Sequence, residues 1–190
     1  EPLSALSPRK AAELIGYVSQ NPEAQTVTDK VWHEAAFGLE SIGLEGGEIR
    51  RRAAECAEYF GISSIIERDT ASLSGGEKQL LALASAAALH PRLLLLDEPT
   101  SQLDPISAQN FIDAIRRLNR DFGIAVLAAE HRLEELLPIS DRVIVMDNGK
   151  ITADCEPRGL AELLPAEHPI RGALPISARI YALSGASDEI

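Results

Sequence analysis

Aromatic side chains are scarce in this chain of 190 residues: one Trp, three Tyr and four Phe, 4% in all. A core must therefore be built from Leu, Ile, Val and Ala, and the 45% hydrophobic content is ordinary for a globular domain. Positive charge is the minority sign, with 18 Lys and Arg against 29 Asp and Glu and a formal net charge of −11. That balance argues against a nonspecific electrostatic hold on nucleic acid, although a local basic patch is compatible with it. Cysteine is nearly absent. Cys56 and Cys155 stand far apart, with no thiol or histidine at ligand spacing, which argues against a disulfide framework or a zinc site and fits a reducing compartment. No apolar run reaches the roughly 18 residues of a spanning helix, because "LLALASAAALHPRLLLL" is broken by His90, Pro91 and Arg92. Any work at a membrane is expected to go through a partner. The given residues start at Glu1, and no signal-peptide pattern is expected among them.

What is present reads as alternating strands and helices. "LIGYVSQ" (Leu14 to Gln20) is a short β-rich run that stops at Asn21-Pro22, a strand entering a loop. Thr28 to Phe60 is helical in pattern, with an interruption at "GLEGGE" (Gly43 to Glu48), and predicts a helical subdomain. "GGEKQLLALASAAALH" is a helix ended by His90-Pro91. "RLLLLDEP" has no polar face over four consecutive leucines, the pattern of a strand buried on both sides, and the prolines at 91 and 99 leave room only for a strand. "DPISAQNFIDAIRRLNRD" predicts a helix with Asp104 as N-cap and Pro105 in its first position. "GIAVLAAEH" and "RVIVMD" are further strands around a short helix at "RLEELLP", and the second turns at Asn148-Gly149 into "KITADC", a hairpin. The order predicts an α/β fold with a mostly parallel sheet.

The chemistry concentrates at a few positions. In an open parallel sheet, ligands sit beyond the carboxyl ends of the strands, and three strands here end in polar groups: Gln20, Asp97-Glu98 and Glu130-His131. A carboxylate pair after four leucines is costly to place unless something uses it. A Mg²⁺-phosphate complex is the usual user, since Mg²⁺ keeps several waters and takes one or two carboxylates plus phosphate oxygens. Asp97 would hold the metal and Glu98 would polarise the attacking water. "LSGGE" (Leu73 to Glu77) has two readings. Ser74 and Glu77 form a capping box at a helix start, or the glycines leave bare backbone N–H groups for an anion to approach.

Taken in order, Gln20, "LSGGEKQ" at 73–79, "LLLLDEPTSQLDP" at 93–105 and "EH" at 130–131 resemble the ATP-binding subunit of an ABC transporter, over about residues 14–165. "YVSQNPEAQTVTDKVWHEAAFGLESIGL" is further similar to the energy-coupling-factor (ECF) subgroup, which powers uptake of vitamins and transition-metal ions. The resemblance implies a P-loop NTPase core, with residues 1–165 a partial ATPase domain, a helical subdomain at about 28–89, and 166–190 a C-terminal extension. It implies ATP and Mg²⁺ as cofactors. Its partners would be a second ATPase subunit, identical or not, and a transmembrane subunit, at the cytoplasmic face of the membrane. Gln20 resembles the glutamine that senses Mg²⁺ and the γ-phosphate. Ser74, Gly75 and Gly76 resemble the signature loop that contacts the γ-phosphate held by the opposite subunit. Asp97 is similar to the metal-side aspartate, Glu98 to the catalytic base, Asp104 to the interface aspartate, and His131 to the switch histidine. The departure is the P-loop, G-x-x-x-x-G-K-[ST]. The one Gly-Lys pair, Gly149-Lys150, is followed by Ile151, and the 19 residues before Gln20 are too few for a P-loop strand and a β subdomain. The chain is accordingly expected to be a fragment or truncated copy, inactive by itself. Two other readings stand beside it: a noncatalytic ABC-like regulatory module, and an ABC-type DNA-repair ATPase. The second fits poorly, since only 53 residues separate Gln20 from Ser74 and carry no sustained heptads.

Overall fold

The computed structural model describes residues 5–131, 133–165 and 167–175, and these divide into two compact units, Glu1–Glu130 and His131–Ile190. In the first unit, α1 (Pro8–Leu14) leads into β1 (Ile15–Val18), and α2 (Pro22–Gln25), α3 (Val31–Ser41), α4 (Gly46–Tyr59) and α5 (Gly75–Ala88) follow. β2 (Leu93–Asp97), α6 (Pro105–Phe122) and β3 (Ala125–Ala129) complete it. The three strands form one parallel sheet in the order β1-β2-β3, with Ile15 opposite Leu93 and Leu93 opposite Ala125. All three therefore end on the same edge.

Local chemistry accounts for the helix ends. Ser7 caps α1 and Asn21 caps α2, each followed by proline in the first position; neither helix was expected from the sequence, though both carried that signal. α5 stops where His90 turns to a positive φ of 53° before Pro91. α6 closes on Gly123 in the left-handed conformation, whose N–H donates to the Asn119 carbonyl. The expected interruption at Gly43 to Glu48 is shorter than the sequence suggested. Gly46 and Gly47 open α4, because the first turn of a helix tolerates residues that its interior does not.

Burial of β2 also differs from the reading of a strand enclosed on both sides. Leu94 and Leu96 are buried, with Val18 and Gly16 of β1 beside them, in one core cluster with the alanine-rich face of α5 and with Phe111, Ala114, Ile115 and Leu118 of α6. A Cβ on Gly16 would meet Leu94 Cδ2 at 2.7 Å and Ala86 Cβ at 3.2 Å, so the lack of a side chain lets β1 lie close against α5. Tyr17 and Leu127 on the opposite face are about half exposed, and Leu95 between them is only partly buried. The four leucines thus have one dry face and one open face within these residues.

The second unit holds α7 (Leu133–Leu136), the antiparallel hairpin β4 (Val143–Asp147) and β5 (Lys150–Cys155), then α8 (Leu160–Leu163) and α9 (Ile170–Ala173). The hairpin turns at Asn148 and Gly149, both at positive φ, as a two-residue turn of this type requires. Leu137, Val145, Ala153, Leu160, Ala161, Leu164 and Leu174 make its core. Of the expected extension at 166–190, residue 166 and residues 176–190 lie outside the described residues.

Candidate functional site

Two groups of candidate residues are built in the first unit. One collects at the carboxyl ends of the strands. Gln20, two residues past β1, donates from Nε2 to Glu98 Oε2 at 3.0 Å, so residues 78 positions apart meet because β1 and β2 are neighbours. Asp97 ends β2 and is exposed; its Oδ2 accepts from the Tyr17 hydroxyl at 3.2 Å. Glu98 leaves the strand with φ of +43°, the left-handed region that a non-glycine residue seldom occupies. Its N–H donates to the Ala129 carbonyl at 2.8 Å, and its own carbonyl accepts from Ser101 N and Oγ at 3.1 and 2.9 Å. Thr100, 1% exposed, gives both its N–H and its hydroxyl to Glu130 Oε1.

The second group lies at the N-termini of α5 and α6. Ser74 caps α5: its Oγ accepts from Glu77 N–H at 3.3 Å, and Glu77 Oε2 accepts from Ser74 N–H at 2.7 Å. The capping box is therefore real. The anion reading stands beside it on the backbone N–H groups of the first helical turn, which a helix N-terminus leaves without intrahelical acceptors. Ser74's own amide, above all, holds the Glu77 carboxyl below its ordinary value, with Arg68 adding to the effect and burial opposing it. The two glycines differ. A Cβ on Gly75 would meet nothing within 4 Å, whereas one on Gly76 would lie 2.6 Å from Ser107 Oγ and 2.8 Å from its Cβ. Gly76 brings the starts of α5 and α6 together. Asp104 caps α6, with Oδ1 accepting from the N–H groups of Ile106 and Ser107 and Oδ2 accepting from Ser107 Oγ at 2.5 Å. These bonds, Ser107's hydroxyl first, hold the Asp104 carboxyl below its ordinary range.

Sequence reasoning missed several residues that organise these groups. Lys78 pairs with Glu23, and Gln79, 1% exposed, donates to the Ser19 carbonyl at 3.3 Å, so two successive residues of α5 tie it to the segment around Gln20. Gln25 fastens the same segment, accepting from Ser19 N–H and donating to the Tyr17 carbonyl. Gln79 stood inside the quoted "LSGGEKQ", and a polar residue in an apolar helical run was the available signal. Ser107 carried none that a single sequence reveals; Glu130 was read as a polar strand end, but its bond to Thr100 was not foreseen. His131 is the first residue of the second unit, immediately after Glu130.

For a metal, the donor chemistry fits in part. Asp97, Glu98 and the Gln20 amide oxygen are hard oxygen ligands of the kind Mg²⁺ takes, and phosphate and water would have to supply the rest. Among the described residues no group of three or more His, Cys, Asp or Glu forms a complete metal cage. No helix among them is long and apolar enough to cross a membrane.

Comparison with known proteins gives a consistent set of relatives. Putative ABC transporter ATP-binding proteins of Bacillus anthracis, Streptomyces coelicolor and Methanosarcina acetivorans are 47%, 43% and 41% identical to the chain over 148, 139 and 140 residues, or 78%, 73% and 74% of it. The matches cover 27%, 25% and 22% of those proteins, so the chain spans about a quarter of the length of these curated relatives. Among solved structures, cbiO1 from Clostridium perfringens, described as part of the ABC transporter complex cbiONQ, matches 92% of the chain and 68% of its own, with a TM-score of 0.74 and 28% identity. The dimeric post-hydrolysis state of the ATP-binding cassette MJ0796, bound to ADP and Pi, matches 82% of the chain and 70% of its own with a TM-score of 0.69; at 24% identity it shows the fold, a P-loop NTPase α/β core. A sequence profile described as ABC transporter matches residues 2–101, more than half of the chain. The order of strand-end residues, the capped glycine pair and this match together show that the chain belongs to the ABC transporter family of ATP-binding proteins.

Proposed function

We propose that these residues supply the signature and hydrolytic parts of an ATPase that powers an ABC importer of the energy-coupling-factor type, and that the phosphate-cradling P-loop comes from outside the 190 residues. The observation that carries the reading is the Gln20–Glu98 hydrogen bond, which joins two of the family's motifs at adjacent strand ends. Glu98 is then the base that takes a proton from the attacking water, and Gln20 orients it. Asp97 and Gln20 would hold Mg²⁺, which when bound neutralises charge on the phosphate oxygens. Ser74, Gly75 and Gly76 present a helix N-terminus to the γ-phosphate bound by a second ATPase subunit, with Asp104 beside them at that interface. His131 is assigned to the terminal phosphate by its place in the motif order. The likeness to cbiO1, part of the ABC transporter complex cbiONQ, supports a transporter partner, and vitamin or metal-ion cargo is proposed from the resemblance of residues 17–44 to the energy-coupling-factor subgroup. We assign residues 1–165 to the ATPase domain and 166–190 to its extension.

In the longer protein that joins this chain to a P-loop, Glu98→Gln keeps size and hydrogen bonding but removes the base. Turnover should fall by about 10²- to 10⁴-fold with ATP still bound. Parental turnover would remove Glu98 from this role. A noncatalytic module is the second reading, favoured by the lack of a P-loop motif within the chain. It requires that the longer protein bind ATP no better than this chain does. A DNA-repair ATPase is disfavoured further, since α3 and α4 are helices of 11 and 14 residues, too short for a long coiled-coil insertion.

A further inference from the structure

We infer that Glu130 is the residue that keeps Glu98 in its left-handed conformation, and is thereby a positioning residue for hydrolysis; the hydrolytic part of this inference rests on the role proposed for Glu98. A non-glycine residue at φ +43° is disfavoured roughly 5- to 30-fold, and such a conformation persists only where its surroundings over-determine it. Glu98 also precedes Pro99, a position that favours extended backbone. Something must hold it against both preferences.

The surroundings include ties from the turn 98–101 to the end of β3 and within the turn itself. Glu98 N–H donates to the Ala129 carbonyl, the last bond of the β2–β3 ladder, which closes the Asp97–Ala129 pair. Ser101 closes the turn on the Glu98 carbonyl through both N–H and Oγ. Glu130, the first residue past β3, then takes the two donors of Thr100 on one carboxylate oxygen, N–H at 3.0 Å and the hydroxyl beside it. Thr100 is 1% exposed, so these donors have no water to fall back on. With Glu98 N–H and Thr100 fixed to consecutive residues, 129 and 130, the backbone between them must reverse within two residues, and Glu98 takes the positive φ that does so. The carboxylate of Glu98 is thereby aimed at Gln20. A residue without an acceptor at 130 would free Thr100 and let Glu98 return to extended backbone.

The test uses the 190-residue chain and φ-sensitive NMR couplings at Glu98, which a role in stability alone would not move. Glu130→Gln keeps an acceptor oxygen and should preserve the left-handed signature, whereas Glu130→Leu should replace it with an extended one. A stability cycle reads the same tie independently. Glu98→Gly should favour the folded state about threefold when Glu130 is present, since glycine carries no left-handed penalty. In the Glu130→Leu background, where the acceptor is gone, it should not do so. A left-handed signature that survives in folded Glu130→Leu, or an equal effect of Glu98→Gly in both backgrounds, overturns the inference. If Glu130→Leu does not fold, Thr100→Val decides: it removes the hydroxyl without adding bulk and should shift the coupling part of the way, and an unchanged coupling overturns the inference. In the longer ATPase, Glu130→Leu should lower kcat at unchanged KM for ATP and Glu130→Gln should restore it. A lost left-handed signature with unchanged turnover overturns the positioning role, while Glu98→Gln tests the base itself separately.

Discussion

Gly76→Ala separates packing from function in the signature turn. A Cβ at 76 would sit 2.8 Å from Ser107 Cβ and 2.6 Å from its Oγ, contacts that a rotamer change of Ser107 relieves only for the hydroxyl. The Cβ–Cβ approach remains, so α5 and α6 must part, and overpacking of this kind costs about 1–3 kcal/mol. Alanine's helix propensity returns at most about 1 kcal/mol, less in a first turn. A net loss of about 1–2 kcal/mol is expected. Gly75→Ala meets nothing within 4 Å and should be neutral or slightly stabilising. Ser107→Gly alone removes the bond to Asp104 Oδ2 and should cost about 1 kcal/mol, yet in the Gly76→Ala background it removes the clash. The double variant should therefore be more stable than the sum of the single ones by about 1–2 kcal/mol. Urea denaturation of the four proteins of this cycle, with Gly75→Ala beside them, measures it. Equal losses at 75 and 76, or additive effects of Gly76→Ala and Ser107→Gly, would refute the claim that Gly76 is a close-approach glycine.

The purified 190 residues should show no measurable ATPase and bind ATP more weakly than millimolar, because the lysine and amide cradle for the β- and γ-phosphates are not in the chain; saturable micromolar binding in calorimetry would contradict this. In the longer protein, Gly75→Asp places a carboxylate where the γ-phosphate of the opposite subunit is proposed to sit. It should abolish ATP-dependent dimerisation and leave ATP affinity intact, and sedimentation beside nucleotide titration reads both. Acid should loosen the two helix starts. Glu77 and Asp104 have folded values below their ordinary 4.5 and 3.8, so their contribution is present above those values and is lost as pH falls through the lower folded ones. Glu77→Gln and Asp104→Asn should flatten that part of the stability profile, and unchanged profiles would count against the caps as its source.

Much of the site was legible along the chain because its residues are consecutive or capped locally. Ser74 with Glu77, Asp104 with Pro105, and the apolar run ending in Asp97 each follow from rules that act within four or five residues. Composition, the strand-helix alternation and the parallel sheet belong to the same class. Contacts that depend on which strands become neighbours could not be read this way. Gln20 meets Glu98 across 78 positions, and Thr100 meets Glu130 across 30, only because β2 lies between β1 and β3 in register. The open face at Tyr17 and Leu127 is equally a tertiary outcome, since four leucines in a row carry no record of which side a helix will cover. Glu98's left-handed backbone goes further, against the local preference of a residue before proline. Local sequence determined which residues are offered to the site; the meeting of distant strands decided the conformation in which the central one is held.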